Sequence, residues 1–369
     1  MTPVSREISD SIRVARVIGI LGLVIIHVPP WRIDLGDPPR AIGAFDLIFL
    51  YCQELFGRAS VPLLSVISGY LMVHQHGAIG LLSRLRKKSR SLLAPLVGWN
   101  LIAILLSAAL SRHLPYTTPR QWADALFAFS AEPAIHPLYF LRDIFLCALL
   151  FPLIRLGIDR APIATLALVA ILSLAGWTYP VFVGSGPLLF FTAGVAIALG
   201  KVSAEPDRLH QQMIVVAALL APVFTTAVLA RMLIDPASAD WLKHAFTVGL
   251  FVERICGAWF VWIAARWTLR QQWNPLIQTI EPFIFIIFCS HVLWLGAAWH
   301  LLEAVGMGYN DPLYPLFFFT APLQALGAGL AVAAILRRLS PVLLGLLSGG
   351  RAPQPADWAR ARRPAESSS

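Results

Sequence analysis

One arginine and one histidine stand at a spacing that could do chemistry. In the run Arg16-Val-Ile-Gly-Ile-Leu-Gly-Leu-Val-Ile-Ile-His27 they lie eleven positions apart. Eleven helical residues turn through about 1100° and rise about 16 Å, an offset of only about 20°. Arg16 and His27 therefore share one face of a helix, three turns apart, with Arg13 near the same stripe. Histidine takes up and returns a proton near neutral pH, and arginine holds a carboxylate or phosphate. A base and an anion clamp on one face suit transfer of an activated group onto a hydroxyl, and His27 and Arg16 are the catalytic candidates. The competing reading is topological: Arg16 reaches the headgroups at one interface and His27 sits at the other. Gly19 and Gly22, which let other backbones approach, favour a site.

The elements that must hold this pair are apolar. Of 369 residues, 57% are hydrophobic and 13% charged, with mean hydropathy +0.70. A soluble domain carries about 25% charged residues, so this chain cannot clothe a water-facing surface. The composition has room for about ten spans of about 20 residues each. It excludes a soluble enzyme, a nucleic-acid binder and a disordered or collagen-like chain. The apolar runs are continuous and not alternating, against a β-barrel. The fold expected is all-α, a polytopic membrane helical bundle of about ten transmembrane helices. The runs fall at 16–28, 45–73, 91–110, 138–154, 161–177, 182–199, 213–234, 245–265, 275–301 and 313–336, the second interrupted by Gly57-Arg58 and Pro62. Residues 1–347 form one membrane domain, and the polar tail 348–369 is expected to be disordered and cytoplasmic.

The charges orient the bundle. With an even number of spans, twenty of the 29 Lys and Arg residues fall on one set of span ends and six on the other, while Arg58, Arg142 and Arg254 lie inside spans. That split places both termini in the cytoplasm. No small-x-small cleavage site follows Val28, where the chain reads Pro29-Pro30-Trp31-Arg32, so the first run is an uncleaved span. Cys52, Cys147, Cys256 and Cys289 lie in apolar runs without ligand spacing and read as small buried hydrophobes. No hydrolase, zinc, P-loop or dinucleotide motif is legible, and no metal site is expected.

Five stretches, in order, resemble one family. Arg16-x10-His27 after "REISDSI", "VPLLSVISGYLM" at 61–72, "KKSRSLLAPLVGW" at 87–99, "HPLYFLRDIF" at 136–145 and "EPFIFIIFCSH" at 281–291 look like the acyltransferase 3 family of membrane O-acyltransferases. The likeness runs from about Arg6 to Arg338, and the opening resembles the branch that includes succinoglycan O-succinyltransferases. Arg13 beside Arg16, Glu281 where a small residue is frequent, and Leu138-Tyr139-Phe140 in place of Leu-Trp-Phe depart from common family patterns.

The resemblance implies a bacterial inner-membrane enzyme that takes an acetyl or succinyl group from acyl-CoA. The acceptor it implies is a hydroxyl of an exopolysaccharide, a surface glycan or its lipid-linked precursor. Acyl-CoA is then a co-substrate, with no tightly bound cofactor and no nucleic acid. His27 acts as general base or, second, carries the acyl group itself. Arg16 anchors the donor or balances developing charge. Arg84, Arg86, Lys87, Lys88 and Arg90 fit as the site for CoA phosphates, or as an ordinary positive-inside loop. Ser68 and Gly69 offer a donor contact or a close helix approach. Arg13, Arg58, Tyr139, Arg142 and His291 are possible additional site residues. Arg142-Asp143 and Glu253-Arg254 are consecutive, so their side chains splay about 100° apart and are expected to pair with other helices. The rival function is a transporter or exporter of a glycan or anionic metabolite, with Arg16, His27 and Glu253 along its path.

Overall fold

Ser5 opens the first helix by accepting a hydrogen bond from the Ile8 amide, and α1 (Arg6–Ile26) then runs for 21 residues to a cap at His27. The computed structural model describes residues 4–29, 44–75, 81–111, 116–202, 240–271, 274–354 and 356–358. Among these every regular element is helical, as the unbroken apolar runs require. They are α2 (Ala44–Cys52), α3 (Arg58–His74), α4 (Leu81–Lys88), α5 (Ala94–Ser111), α6 (Pro119–Phe127), α7 (Tyr139–Arg160), α8 (Pro162–Leu174) and α9 (Pro187–Ala198). After them come α10 (Asp240–Thr268), α11 (Asn274–Ile280), α12 (Ile284–Ala304), α13 (Tyr314–Leu339) and α14 (Pro341–Leu347). Single wide π turns, Gln53–Gly57 and Ser89–Leu93, join α2 to α3 and α4 to α5 without a break.

Five of the described helical stretches are long and apolar enough to cross a membrane: Leu82–Leu110, His136–Arg160, Thr247–Thr268, Pro275–Ala304 and Tyr314–Leu339. Pro162–Leu174 and Pro187–Ala198 are apolar but shorter. The seventh expected run, 213–234, lies outside the described residues.

α1 sits centrally, packed on α3, α10, α12 and α13. The contact with the π turn before α3 is backbone on backbone. A Cβ on Gly22 would stand 2.6 Å from the Phe56 carbonyl oxygen, and the Ser60 hydroxyl donates to the Gly19 carbonyl. Gly69 on α3 and Gly194 on α9 face each other's helix backbone, at Phe191 and Val66, in the most extensive helix contact among the described residues.

Two elements differ from the sequence expectation. α6 is a short amphipathic connector with a Thr118–Gln121 capping box, too polar for a search keyed to apolar runs. The tail is the second difference, because its described part packs instead of lying loose. The Trp99 indole N–H donates to the Leu347 carbonyl over 3.0 Å. Farther on, Trp358 is buried, edge-on to Phe283 at 4.9 Å and under the Arg337 guanidinium at 5.0 Å. One aromatic ring with an apolar seat outweighs the polar composition around it.

Candidate active site

Two stretches that are 264 to 265 positions apart in sequence form one ladder in space. Arg16 Nη1 lies 2.7 Å from Glu281 Oε1, and eleven residues farther along α1 the His27 ring meets His291. Glu281 to His291 is ten residues, a rise nearly equal to the roughly 16 Å from Arg16 to His27. The two segments thus run side by side with an ionic rung at one end and an imidazole rung at the other.

At the imidazole rung, His291 Nε2 is 3.3 Å from His27 Nδ1, with ring centroids 5.1 Å apart. His27 Nδ1 is also 2.8 Å from the Leu23 carbonyl, and His291 Nδ1 is 2.7 Å from the Phe288 carbonyl. A carbonyl only accepts, so these partners assign the proton of each neutral ring to Nδ1. His27 Nδ1–H is then shared between the Leu23 carbonyl and the His291 Nε2 lone pair, and the basic lone pair of His27 falls on Nε2. Such a ring is held in the tautomer a general base needs. His291 is fully buried, while His27 is half-buried. His136 lies 6.4 Å from the His27 ring centroid, and Tyr139 lies 5.3 Å beyond it. His136 is bonded to Glu132 at 2.9 Å, and both are largely solvent-exposed, so this end of the ladder opens toward the surface. Among the described residues no three His, Cys, Asp or Glu side chains are placed to hold a metal ion.

Charged side chains crowd the same end. Arg58 Nε lies 2.6 Å from the buried Glu54 carboxylate and interacts electrostatically with His27. Arg142 and Asp143 pair with each other at 2.9 Å, against the expectation that they reach separate helices. The long arginine chain curls back over its neighbour, and its second nitrogen donates to the Phe129 carbonyl. Asp143 in turn accepts from the Val183 and Gly184 amides, so this pair pins the loop before α9.

At the ionic rung lies a cavity of about 410 Å³ lined by Arg13, Arg16, Glu281, Phe285, Arg351 and Asp357, among others. His27 does not line it. Ile20, Leu23 and Val24 of α1 and Ile284, Ile287 and Phe288 of α12, all buried, belong to one apolar cluster between the rungs. The single wet face expected from Arg16 to His27 is therefore two sites separated by packing. Arg16 is also matched by a carboxylate already, a role for Glu281 that its departure from common family patterns did not disclose.

Arg351 was missed because it stands in a tail of disordered composition. Its guanidinium caps the Phe285 ring at 4.4 Å and donates to the Ser91 carbonyl over 3.1 Å. Burial and the nearby Arg16 charge pull it down to about 10. Through this bond the basic run meets the cavity: Lys88 interacts with Arg351, Arg84 lies 5.9 Å from the Phe151 ring centroid, and Arg86, Lys87 and Arg90 are exposed. Arg13 lines the cavity half-exposed, 3.4 Å from Asp10. Ser68 donates to the Leu64 carbonyl of its own helix, and Gly69 is spent on the α9 crossing, so neither joins the basic run.

Sequence comparison finds a family and a relative. A family described as "Acyltransferase domain" (Acyl_transf_3) matches residues 9–338, which takes in both rungs. The succinoglycan biosynthesis protein ExoH of Rhizobium meliloti (strain 1021) is 33% identical over 361 residues, covering 94% of this chain and 93% of that protein. No solved structure matches. With a family match over nearly its whole length, a relative 33% identical across it, and apolar helices long enough to cross a membrane, the chain belongs to the acyltransferase 3 family of multi-pass membrane proteins.

Proposed function

We propose that this protein moves an acyl group from acyl-CoA to a hydroxyl of an exopolysaccharide, another surface glycan or its lipid-linked precursor. The observation that carries the reading is the ladder, with a base-ready imidazole at one end and an arginine-lined cavity at the other. The likeness to a succinoglycan biosynthesis protein supports a glycan acceptor, and the acyl group moved is acetyl or succinyl. We place the chain in a bacterial inner membrane with about ten spans and both termini cytoplasmic, on the arginine and lysine distribution.

In this reading CoA phosphates meet Arg13, Arg351 and the run Arg84–Arg90, and the acyl-bearing arm reaches His27 only by displacing the apolar packing of Ile20, Leu23, Ile284 and Ile287 between the two rungs. Arg16 lies about 16 Å along the helix from His27, so it anchors the donor at the cavity and does not touch the reacting carbonyl. The acceptor oxygen attacks the thioester carbon as His27 Nε2 takes the hydroxyl proton. The tetrahedral adduct collapses with C–S cleavage, the ester remains on the glycan, and the imidazolium returns its proton to the CoA thiolate. His291 and the Leu23 carbonyl hold His27 Nδ1–H throughout.

The test uses purified full-length protein in lipid nanodiscs, alkali-deacylated exopolysaccharide as acceptor, and acetyl-CoA or succinyl-CoA as donor. Thiol release and the mass increment of the glycan are followed together. Stoichiometric release and acylation, lost in His27→Ala, support the reading. Full turnover in His27→Ala removes the base assignment, and glycan flux across vesicles without acylation supports the exporter instead.

A further inference from the structure

The cavity at the ionic rung has a wall that the family match does not reach. The match ends at residue 338, yet half of the cavity lining, residues 350–354 and Asp357, comes from the tail beyond α14. Two left-handed glycines send the tail there. Gly349 and Gly350 have φ of 62° and 76°, and the Gly350 amide donates to the Gly345 carbonyl over 2.8 Å. This is a Schellman-type helix end. It sets the chain against the π turn Ser89–Leu93, where a Cβ on Gly349 would collide with the Ser91 carbonyl oxygen.

Beyond that turn the tail is seated by a few side chains. Arg351 Nη1 donates to the same Ser91 carbonyl, and its guanidinium caps the Phe285 ring. Trp358 is buried on Phe283 and under the Arg337 guanidinium. Hydrogen bonds from the Gln354 amide to the Asp357 carboxylate, at 2.7 Å, and from the Trp358 indole to the Pro353 carbonyl, at 3.2 Å, stay within the tail and shape it without attaching it. Segments with so few seating contacts open at a fraction of the global stability.

Seating the tail also changes the charge of the cavity. Glu281 is already bonded to Arg16 at 2.7 Å. The tail adds Arg351, which interacts electrostatically with Arg16, and among the described residues no carboxylate stands at ion-pair distance from it. Two neighbouring guanidinium groups repel unless an anion lies between them.

We propose that this tail is a hinged strap, turning at Gly349 and Gly350, which seats when a phosphate-bearing ligand fills the cavity and releases when the ligand leaves. The inference rests on the acyl-CoA reading above for the ligand and names the device that governs its site. Lifting the strap removes Arg351 and half of the wall at once. Trp358 does not line the cavity, so it acts on the ligand only through the seating of the strap. By linkage, the factor that seating adds to ligand affinity is the factor that the ligand adds to seating.

The test uses full-length protein in phosphatidylcholine nanodiscs, with CoA as the probe. Hydrogen–deuterium exchange of the peptide spanning 349–358 and titration calorimetry of CoA are measured together. Saturating CoA is expected to slow exchange of that peptide in wild type by about 5- to 150-fold. Trp358→Ala is expected to weaken CoA binding by a similar factor, and Trp358→Phe, which keeps a ring on Phe283, to restore most of it. Bound CoA with unchanged exchange overturns the proposal in wild type itself, so misfolding of Trp358→Ala does not protect it. Equal CoA affinity in wild type and Trp358→Ala also overturns it. Nanodiscs containing phosphatidylglycerol separate the two sources of phosphate. Protection of the tail by that lipid, with none added by CoA, assigns the cavity to headgroups and overturns the donor-driven strap. Absence of CoA binding to folded wild type defeats the acyl-CoA reading and the strap with it, whereas CoA binding beside an indifferent tail defeats only the strap.

Discussion

Adding one methyl group at Gly22 tests whether α1 is registered against the π turn tightly enough to place His27. The new Cβ would sit 2.6 Å from the Phe56 carbonyl oxygen, 3.1 Å from its carbon and 3.3 Å from its Cβ. The first of these falls about 0.8 Å short of ordinary van der Waals contact. Two of the three atoms are backbone, so no rotamer change relieves the clash, and α1 must move away from Gln53–Gly57. Overpacking of this kind costs about 1–3 kcal/mol. His27 lies five residues beyond Gly22 on the same rigid helix, and Arg58 follows the π turn directly. A displacement near 1 Å between them is therefore expected to cut turnover by about 100-fold. Gly19, one turn earlier, supplies the control, because a Cβ there meets nothing closer than the Ser60 Cα at 4.0 Å. Thermal unfolding in nanodiscs and CoA-thiol release are measured for Gly22→Ala and Gly19→Ala together. Equal behaviour of the two variants, in either assay, would refute the registration argument.

His27→Ala is expected to lower kcat by about 100- to 10,000-fold with little change in donor binding, read by single-turnover thiol release against a binding isotherm for CoA. Glu281→Gln leaves Arg16 without its carboxylate at a partly exposed rung, so a stability loss of about 1 kcal/mol is expected, checked by thermal unfolding with and without CoA. Trp358→Ala removes the buried ring that seats the tail on Phe283, with an expected cost of about 3 kcal/mol and faster proteolysis after residue 347. Burial raises the Asp124 carboxyl, but hydrogen bonds from the Ser130 amide and hydroxyl and the Ala131 amide outweigh it and hold the group below its ordinary 3.8. A depressed carboxyl stabilises the fold above pH 3.8 and loses that contribution as pH falls through its folded value. Asp124→Asn should accordingly flatten the acid limb of the stability curve, followed by circular dichroism from pH 6 downward.

The sequence by itself determined the helical class, most helix positions and the shared face of Arg16 and His27. All three follow from local physics: lipid-length apolar runs must satisfy their own backbone hydrogen bonds, and a period of 3.6 decides which side chains align. Membership of the family was legible too, because its motifs lie along the chain in order. What only the tertiary structure decided is who meets whom. Glu281 and His291 answer Arg16 and His27 because two helices far apart in sequence pack side by side, and no local pattern encodes that choice. The near-equal spacing of the two motifs, eleven positions and ten, was a visible sign, but it acquires meaning only once the helices are known to touch. The same holds for the packed tail, where Trp358 finds a seat on Phe283, and for Arg142, which folds onto Asp143.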